Sequence, residues 1–257
     1  IYIEKFLAKA RHIEFQVMAD SHGNVIHLGE RDCSVQRRNQ KLIEECPSLV
    51  LSEKKRKEGG QMAVNAAKAC NYEGAGTVEF LYDEASEQFY FLEMNTRIQV
   101  EHPVTEEVCG IDLVKEQIRV ASGLPLSVTQ DEVVMRGHAI ECRINAEKPD
   151  EGFRPSVGTI DRLHFPGGPG VRIDSYLTSG SKVQPFYDSL IAKVITYGAN
   201  REEALTRMRR VLDEMIVSGI STTASFHRAL LDNTYFLRGD VHTTFVETEY
   251  RGEEVGV

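Results

Sequence analysis

EMNTRIQVEH, residues 93–102, alternates Glu93, Asn95, Arg97, Gln99 and Glu101 with Met94, Thr96, Ile98 and Val100. In an extended strand, side chains at i and i+2 share a face. Such a strand would carry two carboxylates, two amides and a guanidinium on one side, a poor core and an odd surface. Just upstream, GTVEFLYD (76–83) and QFYFLEMN (88–95) read as the arms of a β-hairpin. Glu79 faces the same way as Glu93 only if an odd number of residues separates the arms. A three-residue loop, Ala85–Ser86–Glu87, would set them directly opposite. Two carboxylates about 4 Å apart repel by roughly 4 kcal/mol at an effective dielectric near 20, so the pair calls for a proton or a cation. Glu79, Glu93 and Asn95 are hard oxygen donors suited to Mg²⁺ bridging phosphates. Arg97 offers a fork for an oxyanion, Glu101 a general base, and Arg143 a second oxyanion contact. The plain alternative is a solvated sheet face holding surface ion pairs.

The rest of the chain bounds that reading. Its 257 residues suit one large domain or two medium ones. A net charge of −9 argues against a dedicated nucleic-acid binder, yet permits a local basic pocket. The five cysteines form no CxxC or zinc pattern, which points to reduced thiols and a cytoplasmic setting. No apolar run reaches the length of a membrane span. The opening IYIEKFL has no initiator Met, and the chain is expected to be a fragment of a longer polypeptide.

HIEFQVMAD (12–20), the turn SHGN and VIHLGERD read as another hairpin. Residues 53–72 read as a charged, then Ala-rich helix. GIDLVKEQIRVASG (110–123) reads as an amphipathic helix, with Asp112 as N-cap and Gly123 past its end. A connection near LPLSVTQDEV leads into a second unit, placing the expected boundary at 128/129. That unit holds the strand HAIECRINAE (138–147), a Gly/Pro-rich segment with turns such as PGGPG, and a helix expected over 201–217. A last helix is expected near Thr222. The class is α+β, rich in antiparallel hairpins.

EMNTRIQVEHPVTE, with ERDCSVQRRNQK (30–41), GAGTVEF (74–80), GHAIECRINAE (137–147) and FYDSLIAKVITYG (186–198), resembles biotin carboxylase, the ATP-grasp component of acetyl-CoA carboxylase and related enzymes. Thr96 is more like the acyl-CoA carboxylases than the pyruvate carboxylases. The resemblance implies the C-terminal part of an ATP-grasp fold followed by the biotin carboxylase C-terminal domain. It implies carboxylation of biotin on a carrier protein through carboxyphosphate, using ATP, Mg²⁺ (or Mn²⁺) and bicarbonate. The partners it implies are a biotin carboxyl carrier, a carboxyltransferase and a homodimer mate, with no nucleic acid or membrane.

By matching position, Glu79, Glu93 and Asn95 resemble the metal ligands. Arg97, Gln99 and the Val100 backbone would hold bicarbonate, with Glu101 as its base and Arg143 at biotin and phosphate. Glu4, Lys5 and Leu7 would contact adenine, His12 and Gln36 would lie near the ribose, and Lys41 near phosphate. Asn39 stands where most members have His, and Pro169 where some place an aromatic at the dimer contact. The family's N-terminal domain and lid would precede residue 1, so the chain alone is expected to be inactive. A nucleotide- or carrier-binding module and a different ATP-grasp ligase are the alternatives.

Overall fold

The computed structural model describes residues 1, 3 and 5–249 and divides into two units. The first unit comprises Ile1–Arg136 and the segment from Val241 onward; the second is Gly137–Asp240.

In the first unit, β1 (Arg11–Ala19), β2 (Val25–Arg37), β3 (Gln40–Cys46), β4 (Gly74–Asp83) and β5 (Gln88–Asn95) run antiparallel in the order β3-β2-β1-β4-β5. Period-two alternation gives this sheet two unlike faces. Ile13, Phe15 and Val17 join Val78, Phe80 and Tyr82 on one face, where they pack against Ala63 and Ala67 of α1 (Glu53–Ala69). Phe15 and Phe80 meet edge-on at 6.0 Å. Truncating either to Ala would cost about 3–5 kcal/mol. Gly59 lets α1 approach this closely, because a Cβ there would lie 2.4 Å from the Phe15 ring. The opposite face carries His12, Glu14 and Gln16 of β1 beside Thr77 and Glu79 of β4, all of them buried.

Glu79 and Glu93 are directly opposed across β4 and β5, but not through a three-residue loop. Asp83 pairs with Gln88, leaving the four residues 84–87 between the arms, and the register shifts between Glu79 and Phe80. Leu92 is the extra residue, and this β-bulge restores the parity that an even loop would break.

The strand also ends sooner than the alternation of EMNTRIQVEH implies. β5 stops at Asn95, residues 96–100 are irregular, and α2 (His102–Cys109) follows with Glu101 at its N-cap. Pro103, in the first turn, has no N–H for a sheet ladder and a φ already suited to a helix. Gly110 closes the helix at φ 70°. Next comes α3 (Leu113–Ala121), capped by Asp112 Oδ1 accepting from Lys115 N at 2.8 Å. The stretch Gln36–Lys41 forms a tight hairpin in which Arg38 and Asn39 take φ of 48° and 63°, both central residues of the turn being left-handed.

In the second unit, β6 (His138–Asn145) is the strand expected from HAIECRINAE. Short pieces follow: β7 (Glu147–Lys148), β8 (Arg154–Pro155), β9 (Gly158–Thr159) and β10 (Arg162–His164). The next elements are β11 (Val171–Ser175), β12 (Lys182–Val183), β13 (Leu190–Gly198), α4 (Arg201–Glu214) and β14 (Ile216–Ser218). Strand β13 lies between β11 and β6, antiparallel to both. Helix α4 buries Ala204, Leu205, Met208, Val211 and Leu212. It stops at Glu214, short of 217, because Ile216 and Val217, β-branched and followed by Gly219, extend to pair with β10. Helices α5 (Ala224–Leu230) and α6 (Thr234–Arg238) end this unit. A further helix, α7 (Phe245–Thr248), belongs to the first, where Thr243 N donates to Ala10 O at 2.9 Å. No described helix is long and apolar enough to cross a membrane.

Candidate active site

The polar face of the first unit is organised by one row of opposed residues. Arg31 on β2 faces Glu14 on β1, Glu14 faces Glu79 on β4, and Glu79 faces Glu93 on β5. Three carboxylates in adjacent strands repel one another unless cations lie among them. Lys41, rising from β3, supplies one: its Nζ lies 2.5 Å from Glu14 Oε2, 3.1 Å from Glu79 Oε1 and 2.6 Å from Glu101 Oε1. Arg31 closes the other end, its Nε donating to Glu14 Oε1 at 2.6 Å. His12 Nε2 lies 2.8 Å from Glu79 Oε2.

The electrostatics follow from this packing. Burial pushes the Glu14 carboxyl up, but Lys41, Arg31 and His12 outweigh it and hold the group at about 2. Burial likewise raises Glu79, and the His12 hydrogen bond with the Lys41 charge brings it down to about 2. Burial alone would lower Lys41 and Arg31; the carboxylates around them raise both instead. Glu14, Glu79, Lys41 and Arg31 are therefore all charged at neutral pH.

The irregular segment 96–100 folds over this floor. Gln99 is buried and uses both ends of its amide: Oε1 accepts from Arg31 Nη2 at 3.0 Å, and Nε2 donates to Glu79 Oε1 at 2.7 Å. Asn95 Nδ2 lies 3.0 Å from both Glu79 Oε1 and Glu93 Oε1, so two carboxylates converge on one amide. Arg97 is exposed, with Nη2 3.3 Å from Asn95 Oδ1 and Nη1 3.2 Å from Ile98 O. This donor set fits a hard dication. A cation at the position of the Nδ2 hydrogens would meet two carboxylates, and turning the amide over would add Oδ1 as a third oxygen. A second grouping, His12, Glu14 and Glu79, has its potential ligand atoms all within 4.8 Å of one another.

Residues expected at the nucleotide are spread more widely. Gln36 is buried and pairs with Lys41 across β2 and β3, whereas Asn39 is exposed at the turn. Lys5 Nζ donates to Tyr90 Oη at 2.5 Å, and Leu7 is half-buried. Glu4 lies outside the described residues. His102 bonds the Gln99 carbonyl through Nδ1 at 2.9 Å, a structural role at the start of α2.

Arg143 belongs to the second unit. Its backbone carbonyl accepts from Thr223 Oγ1 at 2.9 Å and from His227 Nε2 at 2.7 Å. It lies opposite Lys193, which faces Asp174 on β11; Lys193 Nζ reaches Asp174 Oδ2 at 3.3 Å. Glu14 and Arg31 escaped the reading of the sequence. The signal was present in HIEFQV, where Ile13, Phe15 and Val17 leave His12, Glu14 and Gln16 together on the other face.

Comparison with known proteins gives a consistent likeness. Residues 1–129 match the family described as "Carbamoyl-phosphate synthase L chain, ATP binding domain", and residues 141–248 match "Biotin carboxylase C-terminal domain". The chain is 60% identical over 247 residues to a biotin carboxylase of Nostoc sp., covering 96% of this chain and 55% of that protein. It is 57% identical over 248 residues to biotin carboxylase 1 of Bacillus subtilis, covering 96% of this chain and 55% of the relative. The chain thus spans about half the length of these relatives. Among solved structures, the biotin carboxylase domain of a thermophilic 2-oxoglutarate carboxylase bound to bicarbonate superposes with a TM-score of 0.93 at 49% identity, covering 95% of this chain and 55% of that one. The Hydrogenobacter thermophilus 2-oxoglutarate carboxylase biotin carboxylase domain dimer, in complex with MgADP and bicarbonate, superposes with a TM-score of 0.93 at 50% identity, covering 95% of this chain and 54% of that one.

Proposed function

The chain belongs to the biotin carboxylase family, and from that premise we propose that it carries the metal, bicarbonate and biotin residues of an ATP-dependent biotin carboxylase. The observation that carries the reading is the pairing of two arrangements over one sheet face. Glu79 and Glu93 converge on Asn95, and Lys41 contacts Glu101.

In this reading Glu79, Glu93 and Asn95 hold Mg²⁺, which when bound offsets the charge of the nucleotide phosphates. Lys41 leaves its carboxylates to meet phosphate. Arg97, the Gln99 amide and the Val100 backbone orient bicarbonate. Glu101 takes its proton, so that a bicarbonate oxygen attacks the γ-phosphorus and ADP departs from carboxyphosphate. Carboxyphosphate then yields carbon dioxide and phosphate. Phosphate removes the ureido proton of biotin, and the ureido nitrogen bonds to the carbon dioxide. We assign Arg143 to the developing negative charge on the ureido oxygen. Lys5, Leu7 and Glu4 are assigned to adenine, and His12, Gln36 and Asn39 to the rest of the nucleoside.

The proposed setting is cytoplasmic, as a homodimer serving a biotin carrier and a carboxyltransferase. We assign the eventual acceptor as an acyl-CoA, on Thr96. The test is phosphate release from MgATP with and without bicarbonate and free biotin, on this chain and on the longer protein containing it. Turnover is expected in the longer protein only, dependent on both additives and abolished in Glu101→Gln. Biotin-independent ATP cleavage by the folded longer protein would assign the site to another ATP-grasp reaction.

A further inference from the structure

Among the described residues Arg31 is the largest fully buried side chain, and its guanidinium has five N–H donors. All five meet an acceptor. Nε donates to Glu14 Oε1 at 2.6 Å; Nη1 donates to Gln16 Oε1 at 2.7 Å and Thr105 Oγ1 at 3.0 Å. Nη2 donates to Thr77 Oγ1 at 3.1 Å and Gln99 Oε1 at 3.0 Å. These acceptors lie on β1, β4, α2 and the irregular segment between β5 and α2. One planar group therefore ties that segment and the first turn of α2 to the sheet.

We propose that Arg31 is a positioning residue for the bicarbonate side of the site, acting through Gln99 and Thr105. This rests on the reading of Gln99 as a bicarbonate contact. Arg31 fixes which way the Gln99 amide points. With Oε1 held by Nη2, Nε2 must face the sheet, where one hydrogen meets Glu79 Oε1 and the other is left with a set direction. A Gln99 turned over would aim its oxygen at the Glu79 carboxylate. Binding Thr105 likewise fixes the helix whose N-cap is Glu101. Lysine in this place keeps the charge, but one ammonium cannot reach five acceptors in a plane.

The test uses Arg31→Lys in the longer protein, measuring KM for bicarbonate and Kd for MgATP, together with amide hydrogen exchange over residues 96–101. KM for bicarbonate is expected to rise about tenfold or more, with nucleotide affinity within about twofold of the parent. Exchange over 96–101 is expected to quicken about tenfold, by the opening of a local segment. Thr105→Val, which removes one acceptor at constant shape, is expected to move both readouts the same way by about twofold to fivefold. Unchanged KM and exchange in folded Arg31→Lys would overturn the proposal, as would equal shifts in bicarbonate and nucleotide affinity. If Arg31→Lys does not fold, the same outcomes in Thr105→Val decide. Should Gln99→Ala leave bicarbonate kinetics unchanged, the reading of Gln99 fails, while the exchange measurement still decides whether Arg31 orders the segment.

Discussion

Lys41 Nζ lies 2.6 Å from Glu101 Oε1 while also touching Glu14 and Glu79, so one ammonium bridges three carboxylates drawn from three separate segments of the chain. Removing one partner from a buried ion set leaves the others uncompensated and costs about 3–5 kcal/mol. Lys41→Met should lower the unfolding free energy of the chain by that amount in urea titrations. Glu101→Gln in the same background should recover part of the loss, because it removes one of the stranded charges. A loss below about 1 kcal/mol for Lys41→Met would mean that the carboxylates find relief elsewhere.

The same cage predicts opposite effects on metal binding. Lys41 competes with any cation for Glu79, so Lys41→Met should bind Mn²⁺ more tightly than the parent chain, despite its lower stability. Glu79→Gln removes a ligand and should weaken Mn²⁺ at least as much as the about 10–100-fold that follows loss of an outer-shell partner. Titration calorimetry on the isolated chain reads both. If the two variants move in the same direction, Lys41 and the metal do not share the carboxylates.

Much of this site could be read from the sequence, for identifiable physical reasons. Alternation in HIEFQV and GTVEFL marks strands with one polar face, and Asp112 with Gly123 brackets α3 as caps should. The facing of Glu79 and Glu93 was also legible, though it arises from a four-residue loop and a bulge at Leu92 rather than from the loop alone. A bulge has no local signature here, since Leu92 is as apolar as Phe91 before it. Helix α2 was hidden because the alternation of polar residues through Glu101 continues past the true strand end at Asn95. The Lys41 cage was hidden for another reason: its partners lie 27, 38 and 60 residues away along the chain, and only the sheet brings them together.

The β2–β3 turn shows how a local preference was missed and how it can be tested. Arg38 and Asn39 both occupy the left-handed region, where Asn is tolerated and β-branched residues are not. Asn39→Gly should leave stability within about 0.5 kcal/mol of the parent, because glycine favours this geometry. Asn39→Val should cost about 1 kcal/mol, because a β-branched side chain is disfavoured in a left-handed position that Asn tolerates. The comparison is made by urea unfolding of the chain. Equal stability of the two variants would show that the turn relaxes into another geometry.

His227, in the second unit, predicts a pH dependence with a definite sign. Its imidazole is wholly buried, and Nε2 reaches the Arg143 carbonyl at 2.7 Å. Burial lowers its pKa to about 4 from an ordinary value of 6.5, the backbone hydrogen bond opposing the shift only in part. Between those values the unfolded chain binds a proton that the folded chain refuses. The stability contribution of the neutral imidazole is therefore fully present above pH 6.5 and is lost as pH falls toward 4. Urea midpoints of this chain should drop across that window. In His227→Gln, which keeps a donor for the Arg143 carbonyl but cannot titrate, that part of the slope should vanish. A variant retaining the full slope would assign the titration to another group.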